Sequence, residues 1–131
     1  MAKLNSEIKA VFERQLAVIA TASTDGTPNI GPKGSMHVVD NETLAYSEGT
    51  GGKTFRNIQD NPKVAVLVVD RDNSDGYQVK GIAEVLTDGD LFEIVAKRSE
   101  ARGRPHPKRV VKIKISEIYS IKPGMTANRL A

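Results

Sequence analysis

Apolar and polar positions along the chain switch between a helical period and a strand period several times. In "SEIKAVFERQL" the apolar residues Ile8, Val11, Phe12 and Leu16 recur at spacings of three and four, which predicts an amphipathic helix started by Asn5 or Ser6. "AVIATAS" then reads as a strand, and Asp25-Gly26 in "TDGTP" supplies the tight turn of a hairpin. The return segment, "NIGPKGSMHVVD", is interrupted by Gly31, Pro32 and Gly34 and is expected to be one irregular or edge strand. "LAYSE" resumes as a strand. "KTFRNIQDNP" predicts a short helix with Phe55 and Ile58 on one face, stopped at Asn61-Pro62.

"KVAVLVVD" is the most apolar run, so both its faces, Val64, Val66 and Val68 on one side and Ala65, Leu67 and Val69 on the other, are expected to be covered. "YQVKGIAEVLT" alternates imperfectly, and Gly81 marks a bulge, a bend or close packing. A further helix follows "DGD", with Leu91, Ile94, Val95 and Arg98 expected on one side and Pro105 and Pro107 ending it. In "VVKIKISEIYS", Val111, Ile113 and Ile115 share one face while Lys112 and Lys114 take the other, the signature of a half-buried strand. Most of the connections are too short for parallel crossovers, so these six strands point to a small, mostly-β antiparallel barrel with helices at its corners. With 131 residues, one domain spanning 1–131 accounts for the chain.

Composition narrows the chemistry. There is no cysteine, which removes disulfides, thiolate metal sites and cysteine nucleophiles and favours a cytoplasmic location. The N-terminal stretch mixes charges with its apolar residues, so neither a secretion signal nor a membrane span is expected and the mature chain is read as starting near Met1. A formal charge of +3 is too balanced to imply nucleic-acid binding. The charge is uneven, however: "KRSEARGRPHPKR", from Lys97 to Arg109, holds six basic residues against one Glu. That run, with Arg102, Arg104, His106, Lys108 and Arg109, is a solvated face or a site for an anionic ligand. No zinc-finger spacing, KH-type loop or aromatic strip accompanies it to suggest RNA or DNA. His37 and His106 are the only histidines and show no metal-ligand spacing. His37 reads as a packed strand histidine before a catalytic base, and His106, between two prolines, as a loop residue.

The chemistry-bearing stretch is "SEGTGGKTFRNI", Ser47 to Ile58. Ser47 stands where a P-loop requires its first glycine, and Thr54 stands where a dinucleotide fingerprint requires its last, so neither motif is met. What the stretch keeps is their shared physics: glycines that expose backbone N–H groups, a Thr54 hydroxyl, the Lys53 ammonium and the positive end of a short helix. An anion-binding corner and an ordinary capped loop are both compatible with it.

The order and spacing of "LAVIATASTDGTPNIGPKGSM", "DNETLAYSEGTGGKTFRNIQDNPKVAVLVVD", "YQVKGIAEVL" and "VVKIKISEIYSIKPG" resemble the pyridoxamine 5'-phosphate oxidase family, in particular its short single-domain members. The resemblance implies an FMN-binding split barrel, a six-stranded antiparallel Greek-key-like barrel with short flanking helices, and a homodimer with FMN in the groove between subunits. It implies that Lys53 and Thr54 hold the FMN phosphate with Asn57 in support. Asn29, Gly31, Pro32, Lys33, Gly34 and Ser35 would run beside the isoalloxazine ring, and Glu48, Gly49 and Thr50 would line the ribityl chain. Lys80 would add charge near the phosphate or face solvent, and Lys33 would lie by the ring or cover an apolar surface patch. The basic C-terminal region by which full-length oxidases recognise pyridoxamine 5'-phosphate has no clear counterpart in the chain.

No acid pair or nucleophile elbow is present, so any redox chemistry falls to the cofactor. The expected function is an FMN-dependent oxidoreductase passing hydride or electrons from a donor such as NADH or NADPH to a small acceptor. A flavin-binding or electron-transfer module without turnover is the alternative, and a groove for heme or another planar cofactor is a third possibility.

Overall fold

The computed structural model describes residues 2–122 and 128–131. Helix α1 (Ser6–Arg14) starts at Asn5, whose side chain accepts the N–H of Ile8 at 2.9 Å, and buries Ile8, Val11 and Phe12. Leu16 does not join them: the helix ends at Arg14 and Leu16 is 59% exposed, because Gln15 turns into extended backbone.

Strands β1 (Ala17–Ala22) and β2 (Pro28–Lys33) form the expected hairpin around Asp25-Gly26, and Gly26 takes the positive φ of the turn. The return segment, however, is two strands. After β2, residues 34–36 turn the chain into β3 (His37–Asp40), and the N–H of Met36 donates to the carbonyl of Lys33. The remaining elements are β4 (Thr43–Glu48), α2 (Lys53–Asp60), β5 (Lys63–Asp70), β6 (Asp75–Leu86), α3 (Asp90–Ala101), β7 (Arg109–Ser120) and the short β8 (Asn128–Arg129). All strand pairs are antiparallel, in the order β2-β1-β5-β6-β7-β4-β3, with β8 beside β7. The expected six strands therefore become eight among the described residues.

This order closes the sheet. β2 and β3 are its two edges, and seven strands laid flat would hold them about 29 Å apart. The four Cα steps from Lys33 to His37 reach at most about 15 Å. The sheet must curl into a barrel with one unpaired seam, which the Gly34-Ser35-Met36 link crosses.

Inside lie Ile19, Leu44, Tyr46, Val66, Val68, Val79, Val111, Ile113 and Ile118, with α1 closing one end. Two face assignments differ from the sequence pattern. β5 buries Val64, Val66 and Val68 but leaves Val69 46% exposed, with Ala65 and Leu67 half-buried, so in a single chain only its inner face is covered. α3 buries Phe92, Val95, Ala96 and Ser99 against Ala45 and Val110 and leaves Ile94 62% exposed. Its docking face is set by the small Ala45 on the outside of β4, not by the helix's own apolar sum. α3 ends at Ala101, and Gly103, two residues on, takes left-handed backbone before either proline is reached.

Gly81 serves two of the roles expected of it. The β6–β7 register shifts between Lys80 and Gly81, where Ser116 of β7 is the extra residue and its hydroxyl donates to the Lys80 carbonyl. A Cβ on Gly81 would lie 2.4 Å from the Lys114 carbonyl oxygen.

Candidate functional site

The glycine-rich stretch sits at one end of the barrel, between β4 and α2. Along β4, Leu44, Tyr46 and Glu48 alternate inward, and Glu48 is 1% exposed. Its Oε2 accepts the backbone N–H groups of Thr50 and Gly51, each at 3.0 Å, and the Thr50 hydroxyl at 3.3 Å, while Oε1 accepts from Lys33 Nζ at 3.3 Å. Burial opposes its ionisation, but the Gly51 N–H, the Lys33 ammonium and the Thr50 N–H together hold the carboxyl below its ordinary value. Glu48 is thus the inner clamp of the loop. Gly51 takes the left-handed backbone that brings its N–H onto this carboxylate.

Lys33 is not a surface residue. Its side chain is only 18% exposed, pairs with Glu48 and lies 5.1 Å from the centre of the Tyr46 ring. The Tyr46 hydroxyl is buried and has no hydrogen-bond partner among the described residues; burial and the Glu48 charge raise its pKa. Asn29, Gly31 and Lys33 pair with Thr21, Ile19 and Ala17, so they face the barrel end, whereas Ile30 and Pro32 face outward. Asn29 Nδ2 donates to Thr54 Oγ1 at 3.0 Å, tying β2 to the first turn of α2.

α2 begins after Gly52 with no side-chain cap, so the N–H groups of its first turn carry no intrahelical partner and point outward. Lys53 is exposed at this end. Asn57, one turn on, is buried and donates to Thr21 Oγ1 at 3.1 Å; it anchors the helix to β1. Gly49 and Thr50 are exposed on the rim. Ser35 accepts the Ser47 N–H at 3.0 Å and ties the seam-crossing link to β4. Gly34 is exposed, facing Arg104. Lys80 is exposed on β6 with its Nζ 5.3 Å from the Tyr119 ring, and makes no hydrogen bond or ion pair with the α2 corner.

Arg109 belongs to the corner although the sequence pattern assigned it only to the basic run. Paired with Glu48 across β4 and β7, it stacks 4.3 Å from the centre of the Phe55 ring, and a Cβ on Gly51 would lie 3.5 Å from its Nη1. The signal was available: the Val111, Ile113, Ile115 alternation, extended one step back, places Arg109 on the buried face.

The corner therefore offers uncapped helix amides, the Thr54 hydroxyl and the cations of Lys53 and Arg109, while its one carboxylate is turned inward and neutralised. This donor set fits a phosphate monoester. Among the described residues there is no cluster of metal-ligating side chains, and no helix is long and apolar enough to cross a membrane. His37 Nδ1 lies 2.9 Å from the Ser35 carbonyl, and His106 pairs with Glu100 at 2.8 Å on the surface.

Comparison with known proteins places the chain. The pyridoxamine 5'-phosphate oxidase family model matches residues 4–122. An uncharacterised protein, MJ0282 of Methanocaldococcus jannaschii, is 36% identical over 131 residues, covering 98% of this chain and 87% of its own. The crystal structure of HupZ from Group A Streptococcus is similar with a TM-score of 0.88 at 38% identity, covering 95% of this chain and 99% of HupZ. A candidate pyridoxamine 5'-phosphate oxidase from Lactobacillus delbrueckii gives a TM-score of 0.78 at 36% identity, over 90% of this chain and 94% of that one.

Proposed function

The chain belongs to the pyridoxamine 5'-phosphate oxidase family, and from that premise we propose that it binds FMN through the α2 corner and acts as an FMN-dependent oxidoreductase. The observation that carries the reading is the uncapped start of α2, flanked by Lys53, Thr54 and Arg109, beside a carboxylate already satisfied from within. The phosphate would sit on the first-turn amides with the Thr54 hydroxyl, which Asn29 orients, and the two cations would balance its charge. β2, from Asn29 to Lys33, would flank the ring.

FMN, when bound, supplies hydride and electron transfer; the chain's residues bind and orient it. A reduced donor such as NADH or NADPH and a small acceptor would complete the reaction. The outward apolar face formed by Val18, Ile30, Leu67, Val69 and Ile82 supports a homodimer, with the FMN groove along the subunit boundary. The cysteine-free composition fits the cytoplasm.

The test is the visible spectrum of the protein after FMN addition and gel filtration, then its response to NADH and NADPH under anaerobic conditions. Retained flavin absorbance that bleaches with a donor supports the enzyme; retained absorbance indifferent to both supports a binding module. Failure to retain FMN overturns the proposal. Lys53→Ala should weaken FMN binding by about tenfold or more, since a charge-assisted hydrogen bond is worth about 1.5–3 kcal/mol.

A further inference from the structure

A second basic feature lies apart from the α2 corner and includes none of Lys53, Thr54 and Arg109; of the residues expected beside a flavin ring, it shares only Gly34. The C-terminal end of α1, the start of β3 and α3 enclose a cavity of about 440 Å³, within the usual size range of small-molecule pockets. The lining is mainly polar, and its exposed apolar surface is Leu16, the side chain that left the α1 core face and stands 59% exposed at this cavity; Phe12 and Met36 lie buried behind it. The lining also carries Arg98, in the last turn of α3, and Arg102, the residue that caps the helix's C-terminus.

The charges there are unbalanced. Arg14, also in the lining, is committed to Asp70 at 2.7 Å; Glu13 is the one carboxylate of the lining, while Arg104 adds a further positive charge beside Gly34. Partial burial, and then the neighbouring charges of Arg102 and Arg104, disfavour the charged form of Arg98, with Glu13 opposing them. The dipole at the C-terminal end of α3 favours cations on that helix. It does not account for an exposed leucine in the same lining.

His37 lines the same cavity. Burial lowers its pKa, with the Ser35 hydrogen bond opposing and the Arg98 and Arg102 charges assisting, so the ring is neutral near pH 7. With Nδ1–H donating to the Ser35 carbonyl at 2.9 Å, Nε2 is left as an acceptor.

We propose that this cavity binds an amphipathic carboxylate, its carboxylate on Arg98 and Arg102, its apolar body against Leu16, and a donor group, where the ligand has one, on His37 Nε2. The choice of a carboxylate rests on shape and surroundings: guanidiniums pair with carboxylates in planar, directional geometry, and exposed Leu16 beside them suits an organic anion better than inorganic phosphate. The site needs no FMN, so it stands or falls separately from the function proposed above.

The probes are 1-naphthoate, the uncharged 1-naphthalenemethanol and inorganic phosphate, titrated into the protein by calorimetry and by amide chemical-shift mapping. Naphthoate should bind and shift the amides of residues 12–16, 36–38 and 98–102, and the alcohol should bind at least about tenfold more weakly, the loss expected for a charge-assisted contact. The Arg98→Ala/Arg102→Ala double variant should lose binding by a similar factor or more, and Lys53→Ala should leave it unchanged. Both arginines are exposed, so the core is untouched; the single variant Arg102→Glu provides the same test should the double variant fail to fold. The proposal is overturned by absence of naphthoate binding up to about 10 mM, a concentration that would fill even a millimolar site. It is equally overturned by equal affinity for the alcohol, by unchanged affinity in the arginine variants, or by phosphate displacing naphthoate at the same amides with higher affinity.

Discussion

Replacing Glu48 with Gln keeps the side chain's size but forces a donor where only acceptors are tolerated. The native carboxylate receives the Thr50 and Gly51 N–H groups on Oε2 and the Lys33 ammonium on Oε1. A Gln amide must turn its NH2 either onto the two backbone donors or onto Lys33. Two hydrogen bonds to a charged acceptor fall to neutral strength or vanish, at about 1 kcal/mol each, and a largely buried Lys33 loses its counter-charge. A loss of about 3 kcal/mol is expected, below the upper range for breaking a buried pair because Lys33 retains some solvent. With roughly 2.1 cal/mol/K of unfolding entropy per residue over 131 residues, this lowers Tm by roughly 11 °C.

The effect has a pH signature. The native carboxyl titrates below its unfolded value, so the folded chain binds this proton less readily than the unfolded one. The stabilisation is fully present above the unfolded value of about 4.3 and fades as the pH falls through the depressed native value. Urea denaturation of both proteins, followed by circular dichroism from pH 7 downward, should show a gap that is constant near neutrality and narrows below about pH 4. Equal stability at pH 7, or a gap that does not change with acid, would refute the assignment of Glu48 as the charged clamp of the loop.

Two other substitutions probe the frame around the site. Gly81→Ala drives a methyl to within 2.4 Å of the Lys114 carbonyl oxygen, a backbone atom that cannot yield, so the urea midpoint should drop by the equivalent of about 1–3 kcal/mol or more; an unchanged midpoint would mean the β6–β7 approach is looser than described. Leu67→Asp places a charge on the outward face of β5 while Val64, Val66 and Val68 stay buried; under the proposed dimer, sedimentation velocity should show the parent chain as a dimer and the variant as a folded monomer, and a variant that stays dimeric would move the interface elsewhere.

Most elements are legible because each carries its own local signal. Asn5 with the Ile8, Val11, Phe12 spacing specifies α1, Asp25-Gly26 specifies a hairpin, and the β7 alternation separates an inner from an outer face without help from the rest of the chain. The errors fall where a face is chosen by something distant. α3 is rotated from its apparent apolar side because Ala45, on a strand over forty residues earlier, leaves the space that Phe92 and Ala96 fill. The second face of β5 reads as core because composition does not distinguish an apolar face covered by the same chain from one the chain leaves exposed.

The same division runs through the site. By itself the amino-acid sequence determined that a glycine-rich turn precedes a short helix bearing Lys53 and Thr54, because turn chemistry, helix amides and side-chain charge are properties of neighbouring residues. Tertiary structure decided which charges count. It turned Glu48 inward and paired it with Lys33, brought Asn29 onto Thr54 and Arg109 onto Phe55, and left Lys80 on another face. Those outcomes depend on the seam at Gly34-Ser35-Met36 closing the sheet, since electrostatic contacts act over a few ångströms and only barrel closure brings residues so far apart in the chain within that range.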